Sequence, residues 1–180
     1  MLMPGDTYLL LTAWQPWNQF EWDTIGGVSV LNQDFKEFLE LLRRHSVRYL
    51  IVGGYSVAIH GHPRYTKDLD VWIFAESGNA TRLLAALDDF GFASLELKEE
   101  DFTVPGYVIQ LGQPPIRIDL LTSLTGVEFE QCWNNKLTLD LDGMDLPFIS
   151  LEDLKTNKQA LGRHQDLADL ENLSSHDDQS

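Results

Sequence analysis

The sequence predicts an α/β (α+β) protein in which a small, largely antiparallel or mixed sheet is flanked by helices. Two observations predict this class. Segments with the apolar period of strands and segments with that of helices follow one another irregularly from Asn32 onward, without an internal repeat. The chain also has 180 residues, 43% of them hydrophobic, which is enough to bury the core of one domain.

The first clear element is a helix that begins near Asn32 or Asp34, since either residue can cap its N-terminus. A turn at Asp142-Gly143 predicts a hairpin, and the capping box Ser150-Leu151-Glu152-Asp153 opens a C-terminal helix. Strands are predicted at residues 49–52, 68–74, 107–111, 116–121, 137–141 and 146–149. Helices are predicted at residues 34–45, 55–60, 80–90, 127–135 and 150–162, and a last one ends near residue 173.

The chain divides into three parts. Residues 1–32 form an N-terminal segment of unclear role, which holds Trp14, Trp17 and Trp22 and no recognisable motif. Three interpretations stay open for it: a flap packed on the domain, a short hairpin, or sequence outside the fold. Residues 33–174 are expected to form the domain, and residues 175–180 form a polar tail.

Charge and cysteine content limit the classes of function. The formal net charge is −15, which disfavours a sequence-independent nucleic-acid binder, because phosphate contacts need clustered Lys and Arg. Cys132 is the single cysteine, so no intramolecular disulfide can form and a reducing compartment fits. No apolar run reaches the length of a membrane span, and no signal peptide is recognisable. A cytoplasmic location without membrane contact is expected.

Two aspartates stand two residues apart on a predicted strand, Asp68 and Asp70. The strand period of two places both carboxylates on one face, roughly 6.6–7 Å apart at Cα, from a rise of about 3.3 Å per residue. That spacing allows both to reach one Mg²⁺ ion, which prefers oxygen ligands. An isolated Asp-x-Asp is more often a solvated pair on an edge strand.

Two further features favour a site over a solvated pair. Asp119 lies between aliphatic residues on another predicted strand, where an acid is unfavourable unless it faces solvent or a site. Gly53-Gly54 follows a buried strand and precedes a short helix, so its backbone N–H groups can approach a phosphate. Together these features make a more specific pattern than any one of them.

This pattern resembles the nucleotidyltransferase superfamily, and in detail its AbiEii-like bacterial members. Those members carry a glycine pair, a strand that begins Arg-x-Thr-x-Asp-x-Asp, and a C-terminal helical signature of one Lys, one Arg and two Asp. Many members have Gly-Ser at the position of the glycine pair. The resemblance covers about residues 34–173. The matching residues are Gly53, Gly54, Arg64, Thr66, Asp68, Asp70, Lys158, Arg163, Asp166 and Asp169.

The resemblance implies a nucleotidyltransferase fold and an enzyme that moves a nucleotide from a nucleoside triphosphate such as ATP to a hydroxyl acceptor. It implies Mg²⁺ as cofactor, with up to two ions. Catalysis and metal binding would fall to Asp68, Asp70 and Asp119. Nucleotide binding would fall to Gly53, Gly54, Ser56, Arg64, Thr66 and Lys158. A structural role for Arg163, paired with Asp166 or Asp169, is equally weighted.

Alternatives of other classes stay open. By resemblance, the setting is a toxin–antitoxin or phage-defence pair, with tRNA or protein as acceptor and a cognate antitoxin as partner. Arg43, Arg44, Arg48, Arg64 and Lys67 are the best candidates for a basic patch that would bind tRNA. A second hypothesis is a catalytically inactive protein that binds a nucleotide or a partner with the same fold. A third is a small-molecule modifier resembling aminoglycoside nucleotidyltransferases, whose cationic substrates an acidic surface would attract.

Overall fold

The computed structural model describes residues 7–11, 31–62, 66–113 and 116–174, the first of these ranges by its backbone alone. The helices are α1 Gln33–Arg44, α2 Gly53–Ile59, α3 Ser77–Leu87, α4 Glu100–Thr103, α5 Phe129–Asn135, α6 Leu151–Leu161 and α7 His164–Ser174. The strands are β1 Thr7–Leu11, β2 Tyr49–Ile51, β3 Asp68–Ile73, β4 Tyr107–Gln113, β5 Ile116–Leu121, β6 Leu137–Leu141 and β7 Met144–Phe148.

The described strands form one seven-stranded sheet in the order β1-β4-β5-β3-β2-β7-β6. Neighbours β1–β4, β5–β3 and β2–β7 are parallel, whereas β4–β5, β3–β2 and β7–β6 are antiparallel. The sheet is therefore mixed, which confirms the predicted α+β class. The antiparallel pair β4–β5 and the hairpin β6–β7 are local, but β5–β3 and β3–β2 join strands that are separated by helices.

Two separate cores cover the sheet, because alternate residues of a strand face opposite sides. The first core lies under α1 and α3, and on β3 it takes Leu69, Val71 and Ile73. The second core lies under α5, α6 and α7. Its buried members are Leu50, Val52, Val57, Trp72, Phe129, Cys132, Ile149, Leu154 and Leu173.

The second face of the sheet is apolar only along part of its length. Trp72 packs edge-on against Phe129, with ring centroids 5.0 Å apart, and is 2% exposed. It thus packs under the C-terminal helices, one of the two roles that the sequence left open. On the same face, toward the start of β3, the side chains are Asp70 and Asp68 instead. This polar end of the second face is where the candidate site lies.

The predicted elements agree with the structure except at a few boundaries. The glycine pair Gly53-Gly54 forms the first turn of α2 instead of a turn before it. Helix α3 ends at Leu87, and a π-helical turn with Gly91 at φ 100° follows it. In the N-terminal segment, residues 7–11 pair with β4 as an edge strand, whereas the rest of residues 1–30 lies outside the described residues. The tail, residues 175–180, also lies outside them.

Helices α6 and α7 are joined by a buried ion-pair network. Lys158 Nζ donates to Asp166 Oδ1 at 3.0 Å and to Asp169 Oδ2 at 2.7 Å, and all three residues are at most 4% exposed. Arg163 pairs with Asp166 from the loop between the helices. The structural role weighed for Arg163 is thus observed. Because each buried carboxylate is satisfied by a cation, the network fixes the angle between the two helices.

We predict that Lys158→Met will lower the free energy of unfolding by about 3–5 kcal/mol, because it leaves two buried carboxylates without their cation. Lys155→Met is the matched control on the same helix. Lys155 Nζ lies 3.8 Å from the exposed Glu152 Oε1, so its loss should cost less than about 1 kcal/mol. Urea denaturation measures both values, and equal losses would contradict the network.

Candidate active site

The parallel pairing of β3 with β5 brings three acids together. Asp70 lies directly opposite Asp119 in the register, and Asp68 lies opposite Arg117. The residues between them, Leu69 on β3 and Ile118 on β5, are fully buried in the first core, so the acids face the other side. We name Asp68, Asp70 and Asp119 the carboxylate cluster. Adjacent strands are about 4.8 Å apart, so its members are within reach of one small cation.

Two neighbours hold Asp119 in place. Arg117 donates through Nε to Asp119 Oδ1 at 2.6 Å and through Nη2 to Asp119 Oδ2 at 3.0 Å. Gln110 lies opposite Asp119 across β4 and donates through Nε2 to Oδ2 at 3.2 Å. Arg117 Nη2 also donates to Asp68 Oδ2 at 3.0 Å. Both oxygens of Asp119 are thus oriented, and the arginine links β5 to β3.

The glycine pair packs directly on the carboxylate cluster. Gly53 has φ 60°, and a Cβ at this position would overlap the Asp70 carboxylate. A Cβ on Gly54 would lie 2.7 Å from Thr66 Oγ1, and the Gly54 N–H donates to Asp70. The two glycines therefore allow the start of α2 to approach β3 closely, which no other residue type would permit.

Burial and repulsion raise the pKa of two acids in the cluster. Burial, then the negative charges of Asp119 and Asp68, raise the pKa of Asp70 to about 7. The pKa of Asp68 is raised mainly by burial, with the Arg117 charge acting in the opposite direction. A cation bound beside these carboxylates would favour their ionised forms. The electrostatics of the site therefore favour an added positive charge.

The donor set of the carboxylate cluster fits Mg²⁺, a hard ion that protein sites bind through one or two carboxylates, waters and substrate phosphates. The guanidinium of Arg117 acts as a stand-in cation, because it already bridges Asp68 and Asp119. Within the described ranges, no three acidic, histidine or cysteine side chains form a ready metal cluster. A bound ion would therefore share its shell with phosphate oxygens and water.

The other predicted nucleotide-binding residues are placed less directly. Ser56 is fully buried and its hydroxyl donates to Ile51 O at 2.7 Å. Thr66 lies beside Gly54 and donates to Asp68 O at 3.2 Å. Lys158 is held in the α6–α7 network. Arg64 lies outside the described residues. The nucleotide-binding roles of these four residues stay predictions.

The analysis of the sequence missed Gln110 and Arg117 as site residues. A signal was present, because both alternate with buried aliphatic residues on their strands, in the same way as Asp119 does. That alternation places polar side chains on one face. Only the strand order shows that the faces of β4, β5 and β3 coincide at the cluster.

A mixed sheet with two acids on one strand, a third acid on its parallel neighbour and a glycine pair against them defines the nucleotidyltransferase class. The chain belongs to the family described as nucleotidyltransferase of unknown function (DUF6036), which matches residues 30–177. Membership in the predicted superfamily is thereby confirmed, and a nucleoside triphosphate substrate follows from it. Among curated proteins, nothing matches the chain.

Solved structures support the fold. A Thermotoga maritima protein, TM1012, solved as a candidate nucleotidyltransferase, has a TM-score of 0.53 and 18% identity, covering 79% of this chain and 91% of that one. Lincosamide antibiotic adenylyltransferase LnuA, with lincomycin bound, has a TM-score of 0.46 and 16% identity over 82% and 98% of the two chains. An antigenic nucleotidyltransferase-like protein from Paracoccidioides brasiliensis has a TM-score of 0.44 and 19% identity over 78% and 74%.

The described helices include none that combines the length and the apolar character of a membrane span.

We predict that Gly53→Ala will destabilise the protein more than Gly143→Ala does. Both glycines have positive φ, which costs an L residue about 1–2 kcal/mol. A Cβ on Gly143 meets nothing within 4 Å, whereas one on Gly53 meets Asp70. Overpacking should add a further about 1–3 kcal/mol at Gly53 alone. Thermal and urea unfolding measure both variants, and equal destabilisation would show that α2 does not press on β3.

Proposed function

We propose that the protein is a Mg²⁺-dependent enzyme that transfers a nucleotide from a nucleoside triphosphate to a hydroxyl acceptor and releases pyrophosphate. The observation that supports this most is the pairing of Asp70 with Asp119 across β3 and β5, with Asp68 on the same face. Three acids on one partly buried face are unfavourable for folding by themselves. Their alignment is therefore better explained by a cation-dependent reaction than by stability.

In this proposal, Asp68 and Asp70 hold the ion that binds the triphosphate. When bound, Mg²⁺ neutralises phosphate charge and polarises the reacting phosphoryl group. The glycine pair at the start of α2 contributes space, because neither Gly53 nor Gly54 has a side chain that would keep phosphate oxygens away from β3. The Gly54 N–H donates to Asp70 and thereby fixes the orientation of that carboxylate.

Asp119 acts on the acceptor. Its carboxylate orients the acceptor hydroxyl and takes its proton, as a general base would. The hydroxyl oxygen then forms a bond to the α-phosphorus, the bond from that phosphorus to the bridging oxygen breaks, and pyrophosphate leaves with the electron pair. The hydrogen bonds from Arg117 and Gln110 keep Asp119 in one orientation while this occurs.

A second candidate function is nucleotide or partner binding without turnover. One observation favours it: Arg117 already pairs with Asp119 and Asp68, so these two carboxylates are satisfied without a metal. Retention of all three acids favours the enzyme. Metal-dependent label transfer separates the two candidates, because a binding protein would hold the triphosphate and transfer nothing.

The finer assignments rest on resemblance and charge. The AbiEii-like pattern suggests a toxin–antitoxin or phage-defence setting with a cognate antitoxin. Among the candidates for a basic patch, Arg43 and Arg44 pair with Glu40, and Arg48 forms two bonds to Glu130. These ion pairs reduce the positive charge that tRNA would need. Together with the net charge of −15, they support a protein or a cationic small molecule as acceptor.

The decisive experiment incubates the protein with each α-labelled nucleoside triphosphate, Mg²⁺ and one acceptor class at a time: tRNA, protein or aminoglycoside. Label on one class identifies the acceptor. Triphosphate binding without transfer to any class supports the binding protein. Neither binding nor transfer with any triphosphate would overturn the proposed function.

We predict that Asp70→Asn will weaken Mg²⁺-dependent triphosphate binding by at least tenfold, because one of two ion-holding carboxylates is lost. Asp145→Asn is the control, since it removes the same charge from an exposed position on β7. Calorimetry with Mg²⁺ and with EDTA measures each affinity. Affinity that is equal under the two conditions in the unmodified protein would remove the metal from the proposal.

We predict that Asp119→Asn will separate binding from transfer. The amide keeps the shape of the side chain but removes its charge and basic site. Triphosphate affinity should change by less than about tenfold, or 1.4 kcal/mol, and transfer should fall by on the order of 10²-fold or more. Single-turnover assays at saturating triphosphate measure the transfer. An unchanged rate would show that another group serves as the base.

A further inference from the structure

Arg117 makes two unequal contacts within the carboxylate cluster. Toward Asp119 it is bidentate, with bonds of 2.6 and 3.0 Å, and the Asp119 side chain is only 11% exposed. Toward Asp68 it has one bond of 3.0 Å, and that side chain is 37% exposed. A bidentate pair away from solvent is stronger than a single exposed contact. The bond to Asp68 is therefore the one that yields first.

The same oxygen atoms serve the arginine and the expected ion. Arg117 Nη2 is shared between Asp119 Oδ2 and Asp68 Oδ2, whereas an ion held by Asp68 and Asp70 would need oxygen from Asp68. A guanidinium and a divalent cation at this place also repel each other. They cannot both occupy the contact with Asp68 at full strength.

We propose that Arg117 is a positioning residue that acts as an internal counter-ion. It holds Asp119 in one orientation at all times and neutralises Asp68 until a divalent cation replaces it there. This inference rests on the proposed function. It assigns Arg117 the task of keeping the cluster stable without metal, at the cost of weaker binding of the metal alone.

Two measurable consequences follow from the exchange. Without metal, loss of Arg117 leaves three mutually repelling carboxylates on one face, so the folded state loses stability. With metal, the same loss removes both a competitor and a repelling charge, so the affinity for the cation rises. A merely structural ion pair would give the first effect without the second.

The test compares Arg117→Gln with the unmodified protein. Glutamine can still donate to Asp119 but carries no charge. Mg²⁺ without nucleotide is titrated by calorimetry at low ionic strength, and melting temperature is followed with and without Mg²⁺. We expect the affinity for Mg²⁺ to rise on the order of tenfold, the scale of removing one nearby unit charge. We also expect a lower melting temperature without metal and a larger gain on adding Mg²⁺.

Two further variants serve as controls. Arg43→Gln removes the same charge from α1, where Arg43 is 58% exposed and pairs with Glu40. It should leave the affinity for Mg²⁺ within about twofold. Arg117→Lys keeps the charge but not the bidentate geometry, so its affinity should stay close to that of the unmodified protein. The lysine variant also keeps the comparison open if the glutamine variant folds only in the presence of Mg²⁺.

The outcomes distinguish this inference from the proposed function. If the unmodified protein binds Mg²⁺ and triphosphate but Arg117→Gln binds Mg²⁺ equally or more weakly, the counter-ion role is overturned and the proposed function stands. Affinity that rises in Arg117→Lys as much as in Arg117→Gln would also overturn it, because charge would not be the cause. If neither protein binds Mg²⁺ even with triphosphate, the proposed function fails together with this inference.

Discussion

The candidate site depends on the register between parallel strands β3 and β5. That register pairs Asp70 with Asp119 and sets Arg117 opposite Asp68. It is fixed from below by the first core, where Leu69 and Ile118 are fully buried. A slip of one residue would turn aliphatic side chains to the site and acids into the core. The hydrophobic packing of one face thus determines the chemistry of the other.

The carboxylate cluster is electrostatically costly, and the surrounding structure offsets that cost. The pKa of Asp70 is raised to about 7, chiefly by burial. Arg117, Gln110 and the Gly54 N–H each donate to a member of the cluster. Such partners keep three acids together in a folded chain whose stability comes from the two cores. An unfavourable arrangement that a fold supports elsewhere is typical of functional sites.

The C-terminal helices connect the stable part of the molecule to the site. Lys158 joins α6 and α7 through Asp166 and Asp169, and these helices cover the second core around Trp72. Trp72 is two residues beyond Asp70 on the same face of β3. The sequence signature that resembled the AbiEii-like proteins is therefore, in part, a packing device beside the cluster. Its burial explains why a lysine and two aspartates recur at these helical spacings.

The sequence alone determined what depends on local periodicity. Strand alternation placed Asp68 and Asp70 on one face, Ser150 marked the start of α6, and Asp142-Gly143 marked the β6–β7 hairpin, because each is set by neighbouring residues. The tertiary structure decided which distant residues meet. Arg117 reaches Asp68 across 49 positions, Gly53 lies against Asp70, and residues 7–11 add an edge strand to β4. These contacts depend on strand order and register, which the packing of whole faces selects and no local pattern contains.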